Sequence, residues 1–147
     1  MSQAAPDQRR WFSYRMRVAF YETDAMGVVH HANYIRFFEN ARVEWMRSHG
    51  LLHLHHPEGP FVFAVYEQNA RYLKTLRFDD EIDIRLQTKL DRARVNFQYA
   101  IHCERQGGVV CTGSTVLVPV DTSLKPARLP VHAREVFAAS PWDTTWP

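Results

Sequence analysis

Asp24 stands three residues before Gly27 in the run YETDAMGVVHHANY, residues 21–34. A positioned carboxylate can draw a proton from water or attack an electrophilic carbon itself. A glycine beside it lets a substrate come close to the backbone. If a helix begins just beyond, its first four amides lack partners within the helix and carry a partial positive charge, which favours an anion or a developing oxyanion. Acid and amides together would form the two halves of an acyl-transfer site, a base or nucleophile and an oxyanion hole. A plainer role is also open to Asp24, because Asp before a helix often accepts bonds from its first amides. Asp24 lies further from the periodic segment than a cap does, however, and Thr23 or Asn33 could cap instead.

The elements around this run follow from its flanks. Phe12, Tyr14, Met16, Val18 and Phe20 alternate with Ser13, Arg15, Arg17 and Ala19, the period of a strand with one buried face. From His31 to His49 the rhythm becomes helical. Tyr34, Phe37, Phe38, Ala41 and Trp45 fall on one face, with Arg36, Glu39, Asn40, Arg42 and Arg47 on others. Gly50 is placed to end that helix, since glycine accepts the left-handed conformation. After a loop at 51–60, residues 61–73 read as one long strand or two short ones. Alternation from Ile82 to Leu90 and from Val95 to Cys103 gives two half-buried strands, and 109–120 gives a third. Their connections are too short for parallel crossovers, so the pairing is antiparallel. The fold class is α+β, one long helix on an antiparallel sheet of five to six strands.

The chain of 147 residues is expected to be a single domain, 1–147, with its core over about 12–130. The proline-containing tail, 131–147, offers a short helix at Val131–Ala139 and no evident role. A formal charge of +2 without a clustered basic face argues against a nucleic-acid partner. No apolar run is long enough for a membrane span or a signal-peptide core, and a cytoplasmic protein without stable membrane insertion is expected. Cys103 and Cys111 flank a turn at Gln106–Gly108 and read as packed, reduced thiols; a two-residue loop would put them on opposite faces, and only a three-residue loop would set them directly opposite each other.

The stretch RVAFYETDAMGVVHHANYIRFFENARVEWMR, followed by LRFDDEIDI, resembles the hotdog-fold acyl-CoA thioesterases of the 4-hydroxybenzoyl-CoA thioesterase type, including their Tol–Pal-associated branch. The resemblance covers roughly residues 12–130 and rests on the T-D-x-x-G-V-V-x-H-A-N-Y core. It implies a sheet wrapped around one central helix, an acyl-CoA substrate, and homodimers that pair into tetramers. By this resemblance Asp24 is the essential carboxylate, and the His31 N–H polarises the thioester carbonyl, with the His31 side chain a second catalytic candidate. Gly27, Val29 and Tyr34 fall in the substrate-binding part of the motif. Phe20 stands where the family often has a tyrosine, and His30 where an aromatic is usual.

Lys89, Arg92 and Arg94 are the nearest candidates to meet the phosphates of CoA, although an ordinary solvated hairpin end would look the same. His53, His55 and His56, with His49 near, lack metal-ligand spacing, so no metal and no cofactor are called for. An oligomer is expected, because one helix cannot cover every edge of such a sheet. Two other functions fit the same scaffold: a non-catalytic acyl-CoA binding module, which would not need Asp24, and a hydratase or dehydratase of enoyl or hydroxyacyl thioesters.

Overall fold

A computed structural model describes residues 11–52 and 62–147. The chain runs through strand β1 (Phe12–Arg17), helix α1 (His31–Ser48), strands β2 (Val62–Tyr72), β3 (Glu81–Asp91), β4 (Arg94–Cys103) and β5 (Gly108–Val120), and helix α2 (Val131–Ala139). The five strands form one antiparallel sheet in the order β1-β3-β4-β5-β2. Residues 62–73 thus contribute a single long strand, irregular between Val65 and Glu67, at one edge of the sheet. The helix expected from the apolar rhythm begins at His31 and closes on Gly50, whose φ of 70° only glycine adopts freely.

α1 lays its apolar stripe on the sheet. Phe38 stacks on Tyr99 at 4.5 Å, and Trp45 meets Phe97 edge-on at 5.7 Å. The helix is not alone on that face. Phe137 of α2 stacks on Trp45 at 5.1 Å and is itself fully buried, so part of the tail completes the core. Contact between α1 and β5 is close because residue 113 has no side chain. A Cβ there would lie 2.4 Å from Phe38 Cε2 and 2.6 Å from the Asn69 carbonyl oxygen. Gly113→Ala therefore overpacks the centre of the molecule; an expected loss of about 1–3 kcal/mol should lower the melting temperature by about 4–10 °C. An unchanged melt would show that the helix can shift at no cost.

Three details depart from the alternation of the sequence. β1 stops at Arg17, because Val18 exchanges backbone bonds with Asp79 and Asp80 (2.9 Å each), and the chain then enters a 3-10 turn at Phe20–Glu22. Phe20 consequently leaves the buried face and is 74% exposed, edge-on to Phe78. Arg42, placed by periodicity away from the core, is 5% exposed, its Nη1 donating to the Tyr99 hydroxyl at 2.9 Å. A long stem lets a guanidinium reach a buried acceptor from the margin of the apolar stripe. Finally, Cys103 pairs with Gly108 across a four-residue turn, and a register shift after Ile101 sets Cys111 opposite Ile101. Both thiols therefore face inward, buried and free, rather than lying on opposite faces.

Beyond α2 the chain crosses to the other side of the sheet. Gln87, which alternates with the inward Leu86 and Thr88, exchanges two hydrogen bonds with the Asp143 backbone (2.8 and 3.0 Å). Trp146 meets Trp11 edge-on at 5.8 Å, and Lys89 lies over the Trp142 ring at 4.4 Å.

Candidate active site

Residues 23–29 fold into a tight hairpin that carries Asp24. Thr23 bridges Val29, the Asp24 N–H donates to the Val28 carbonyl (2.9 Å), and the Gly27 N–H donates to the Asp24 carbonyl (2.9 Å). Gly27 has a φ of 77°, the left-handed conformation that closes this turn. The Asp24 carboxylate accepts the Met26 N–H at 2.8 Å. It therefore bonds within its own loop and does not take a helix amide as a cap would.

Two clasps hold the hairpin at the mouth of α1. The Glu22 carbonyl accepts both the His30 N–H (3.0 Å) and the Asn33 side-chain amide (2.7 Å). Val29, buried, donates its N–H to the Leu76 carbonyl at 2.8 Å. The loop that offers Leu76 is in turn fixed by Asp80, which accepts the Arg77 N–H (2.8 Å) and a forked pair from Arg105 (2.5 and 2.8 Å). Those Arg105 bonds hold the Asp80 carboxyl below the usual carboxylate range.

The first turn of α1 is capped from an unforeseen side. His30, not Thr23 or Asn33, is the N-cap; its Nδ1 accepts the Ala32 N–H at 3.2 Å. The His30 carbonyl accepts the Asn33 N–H at 2.9 Å. The His31 N–H has no acceptor among the described residues. No acidic side chain occupies this turn to compete for it. The donor assigned by sequence resemblance to the substrate carbonyl is therefore left available. The His31 ring is exposed and stacks on His30 at 4.3 Å, while the His31 carbonyl accepts the Tyr72 hydroxyl at 3.0 Å. Tyr72 thereby ties the start of α1 to the end of β2. Behind it Tyr34 is buried, its ring edge-on to Tyr72 at 5.1 Å. Burial pushes the Tyr34 phenol up to about 12, so it stays protonated near neutrality.

The fold thus brings the Asp24 hairpin, exposed Gly27 and His31 to one place, while Val29 and Tyr34 support it from the core. Of the three expected phosphate ligands, Arg92 and Arg94 line one cavity of about 470 Å³ at the tip of the β3–β4 hairpin, with Asp91 and Ala93. Lys89 is taken up by Trp142, and Arg94 lies over the Tyr66 ring at 4.2 Å. Arg92, at the tip of the β3–β4 hairpin, borders a cavity of about 210 Å³ together with Arg128 and Arg134. Arg134 comes from the tail to which sequence reasoning gave no role, and Arg128 from just before it. Glu22 and Tyr72 were also missed, as was the clasp from Asn33, named only as a cap, since nothing in their spacing announces a partner 11 or 41 residues away. The histidines at 53, 55 and 56 lie outside the described residues; His49 is engaged with the Trp45 carbonyl at 2.7 Å. No group of three metal-ligating side chains occurs among the described residues.

An antiparallel sheet carrying a long helix, entered through an acid-bearing turn, defines a hotdog-fold protein of the thioesterase kind. The chain belongs to the thioesterase-like superfamily, whose family model matches residues 18–139. It is 32% identical over 124 residues to the acyl-CoA thioester hydrolase YbgC of Escherichia coli, covering 81% of this chain and 90% of that one. Among solved structures it resembles a hypothetical protein of Aquifex aeolicus (35% identity, TM-score 0.79), covering 86% of this chain and 98% of that one. A DHNA-CoA thioesterase from Staphylococcus aureus (28% identity, TM-score 0.75) aligns over 81% of this chain and 80% of its own.

Proposed function

We propose that this chain is an acyl-CoA thioesterase, hydrolysing its substrate to a free acid and CoA, with Asp24 as base or nucleophile and the His31 N–H polarising the carbonyl. Its superfamily makes it a thioester hydrolase. The observation that carries the site assignment is the uncommitted His31 amide at the head of α1, beside a hairpin whose only fixed carboxylate contact is its own Met26 N–H. A thioester needs little more. Its thiol leaves readily as thiolate, with a cysteine-like pKa of about 8.5, so a dedicated general acid is dispensable. Catalysis then consists of placing the carbonyl oxygen on the helix amide and bringing water, or the carboxylate, to the carbon. Neither step asks for a metal or a cofactor.

Arg92 with Arg128 and Arg134 supports the CoA end: three guanidiniums border one small cavity, and none has a carboxylate within ion-pair distance among the described residues. β2 supports a homodimer that pairs into a tetramer. It is an edge strand 11 residues long, with Val65, Tyr66 and Tyr72 exposed, the kind of edge that pairs with another chain. In that assembly α1 is the central rod of each wrapped sheet. Free buried thiols fit the reducing cytoplasm as its compartment.

The test is a panel of short, medium-chain and aromatic acyl-CoAs with released thiol titrated. Thiol release from at least one of them is expected. Binding without release would make the chain an acyl-CoA binding module, and a changing enoyl chromophore without thiol would make it a hydratase or dehydratase.

A further inference from the structure

One short stretch of chain grips both halves of the candidate site. Leu76 offers the carbonyl that receives the Val29 N–H (2.8 Å) at the end of the Asp24 hairpin. Tyr72, four residues earlier, sends its hydroxyl to the His31 carbonyl (3.0 Å) at the head of α1. The stretch is itself anchored to the sheet. Tyr72 closes the pairing of β2 opposite Cys111, and the Leu73 and Lys74 amides both donate to the Val110 carbonyl (2.9 and 3.1 Å). Buried Tyr34 braces the Tyr72 ring edge-on. A hydroxyl carried on so fixed a base can aim what it binds.

Satisfying polar groups does not require this bond. The carbonyl of the first residue of an α-helix receives the amide four positions on, and Tyr72 is 47% exposed, so water could serve its hydroxyl. What the bond adds is direction. The two peptide units that meet at His31 carry four polar atoms. The His30 carbonyl accepts the Asn33 N–H (2.9 Å), the Ala32 N–H donates to His30 Nδ1 (3.2 Å), and the His31 carbonyl accepts from Tyr72. The fourth, the His31 N–H, has no acceptor among the described residues. Two of the three bonds stay within the helix and its cap; only that of Tyr72 comes from the sheet. We propose that Tyr72 is a positioning residue for thioester hydrolysis, holding the His31 N–H in the direction and at the spacing from Asp24 that the reaction needs. This role rests on the His31 N–H being the oxyanion donor, and Tyr72 itself stays clear of the substrate. A donor aimed at a developing charge loses most of its value when it is misplaced.

Tyr72→Phe keeps the ring against Tyr34 and removes only the hydroxyl. On the acyl-CoA that the parent hydrolyses best, kcat should fall about three- to tenfold, with KM within about twofold and the melting temperature within about 2 °C. A merely structural tyrosine would instead lower the melt and leave the turnover of folded enzyme alone. The sharpest measurement pairs the change with His31→Pro, which deletes the amide being aimed. In that background Tyr72→Phe should cost less than about twofold in kcat, because nothing remains to aim. Hydrogen exchange at the Asn33 amide should quicken in Tyr72→Phe while exchange in β4 stays as it was. Losses that multiply in the double variant would give the hydroxyl a part of its own and overturn the positioning role, as would a rise in KM in place of the fall in kcat. A kcat within about twofold of the parent in folded Tyr72→Phe overturns it outright, and unchanged exchange at Asn33 would show that the bond aims nothing. All these outcomes presuppose a parent that releases thiol; a parent that hydrolyses no acyl-CoA sinks the thioesterase reading itself, and this role with it.

Discussion

Asp24→Asn is expected to fold as the parent does and to hydrolyse its preferred acyl-CoA with kcat about a thousandfold lower, KM staying within a few-fold. The substitution is nearly isosteric, and its amide oxygen can still accept the Met26 N–H that now holds the carboxylate at 2.8 Å. The hairpin from Thr23 to Val29, closed by backbone bonds and by Gly27, does not depend on the charge. What disappears is the ability to take a proton from water or to attack the thioester carbon, and both roles predict the same collapse in turnover. Steady-state kinetics on the panel, with circular dichroism to certify the fold, makes the measurement. A kcat within threefold of the parent would remove Asp24 from the chemistry and leave it as a turn residue.

His31→Pro should cost about a hundred- to a thousandfold in kcat, the usual price of one oxyanion donor, with little effect on stability. Proline is favoured at the first position of a helix, where its missing N–H has no bond to lose inside the helix. His30, with φ −63° and ψ 137°, already has the extended conformation that precedes proline comfortably. The change therefore deletes one donor and little else. His31→Ala is the necessary companion, because it keeps the amide and discards the ring. A loss in His31→Ala as large as in His31→Pro would assign the catalytic work to the imidazole, and the backbone role would fail.

The motif around Asp24 made the candidate site legible because its parts are local. The acid, the glycine turn and the helix start sit within a dozen residues, and the change of rhythm at His31 marks the start of the helix to the residue. Alternation likewise placed β3, β4 and β5 to within a residue or two, since each has one wet face. What escaped was long-range. Phe20 keeps the alternation of β1 but lies beyond the point where Val18 turns to Asp79 and Asp80, and no local pattern encodes that bond. Arg42 is buried because Tyr99, 57 residues on, offers a phenol. The Arg92, Arg128 and Arg134 grouping exists only once the β3–β4 tip and residues 128–134 are folded together. Sequence periodicity reports which face an element buries; it is silent on which distant polar group makes an exception affordable.

The contact between Trp11 and Trp146 has a topological consequence. Two positions 135 residues apart along the backbone become neighbours in space, so a short glycine-rich linker replacing residues 1–10 could join head to tail without distorting the sheet. New termini could then be opened at the Asp91–Arg94 turn, on an exposed tip. Such a rewired chain would keep every strand pairing of the sheet.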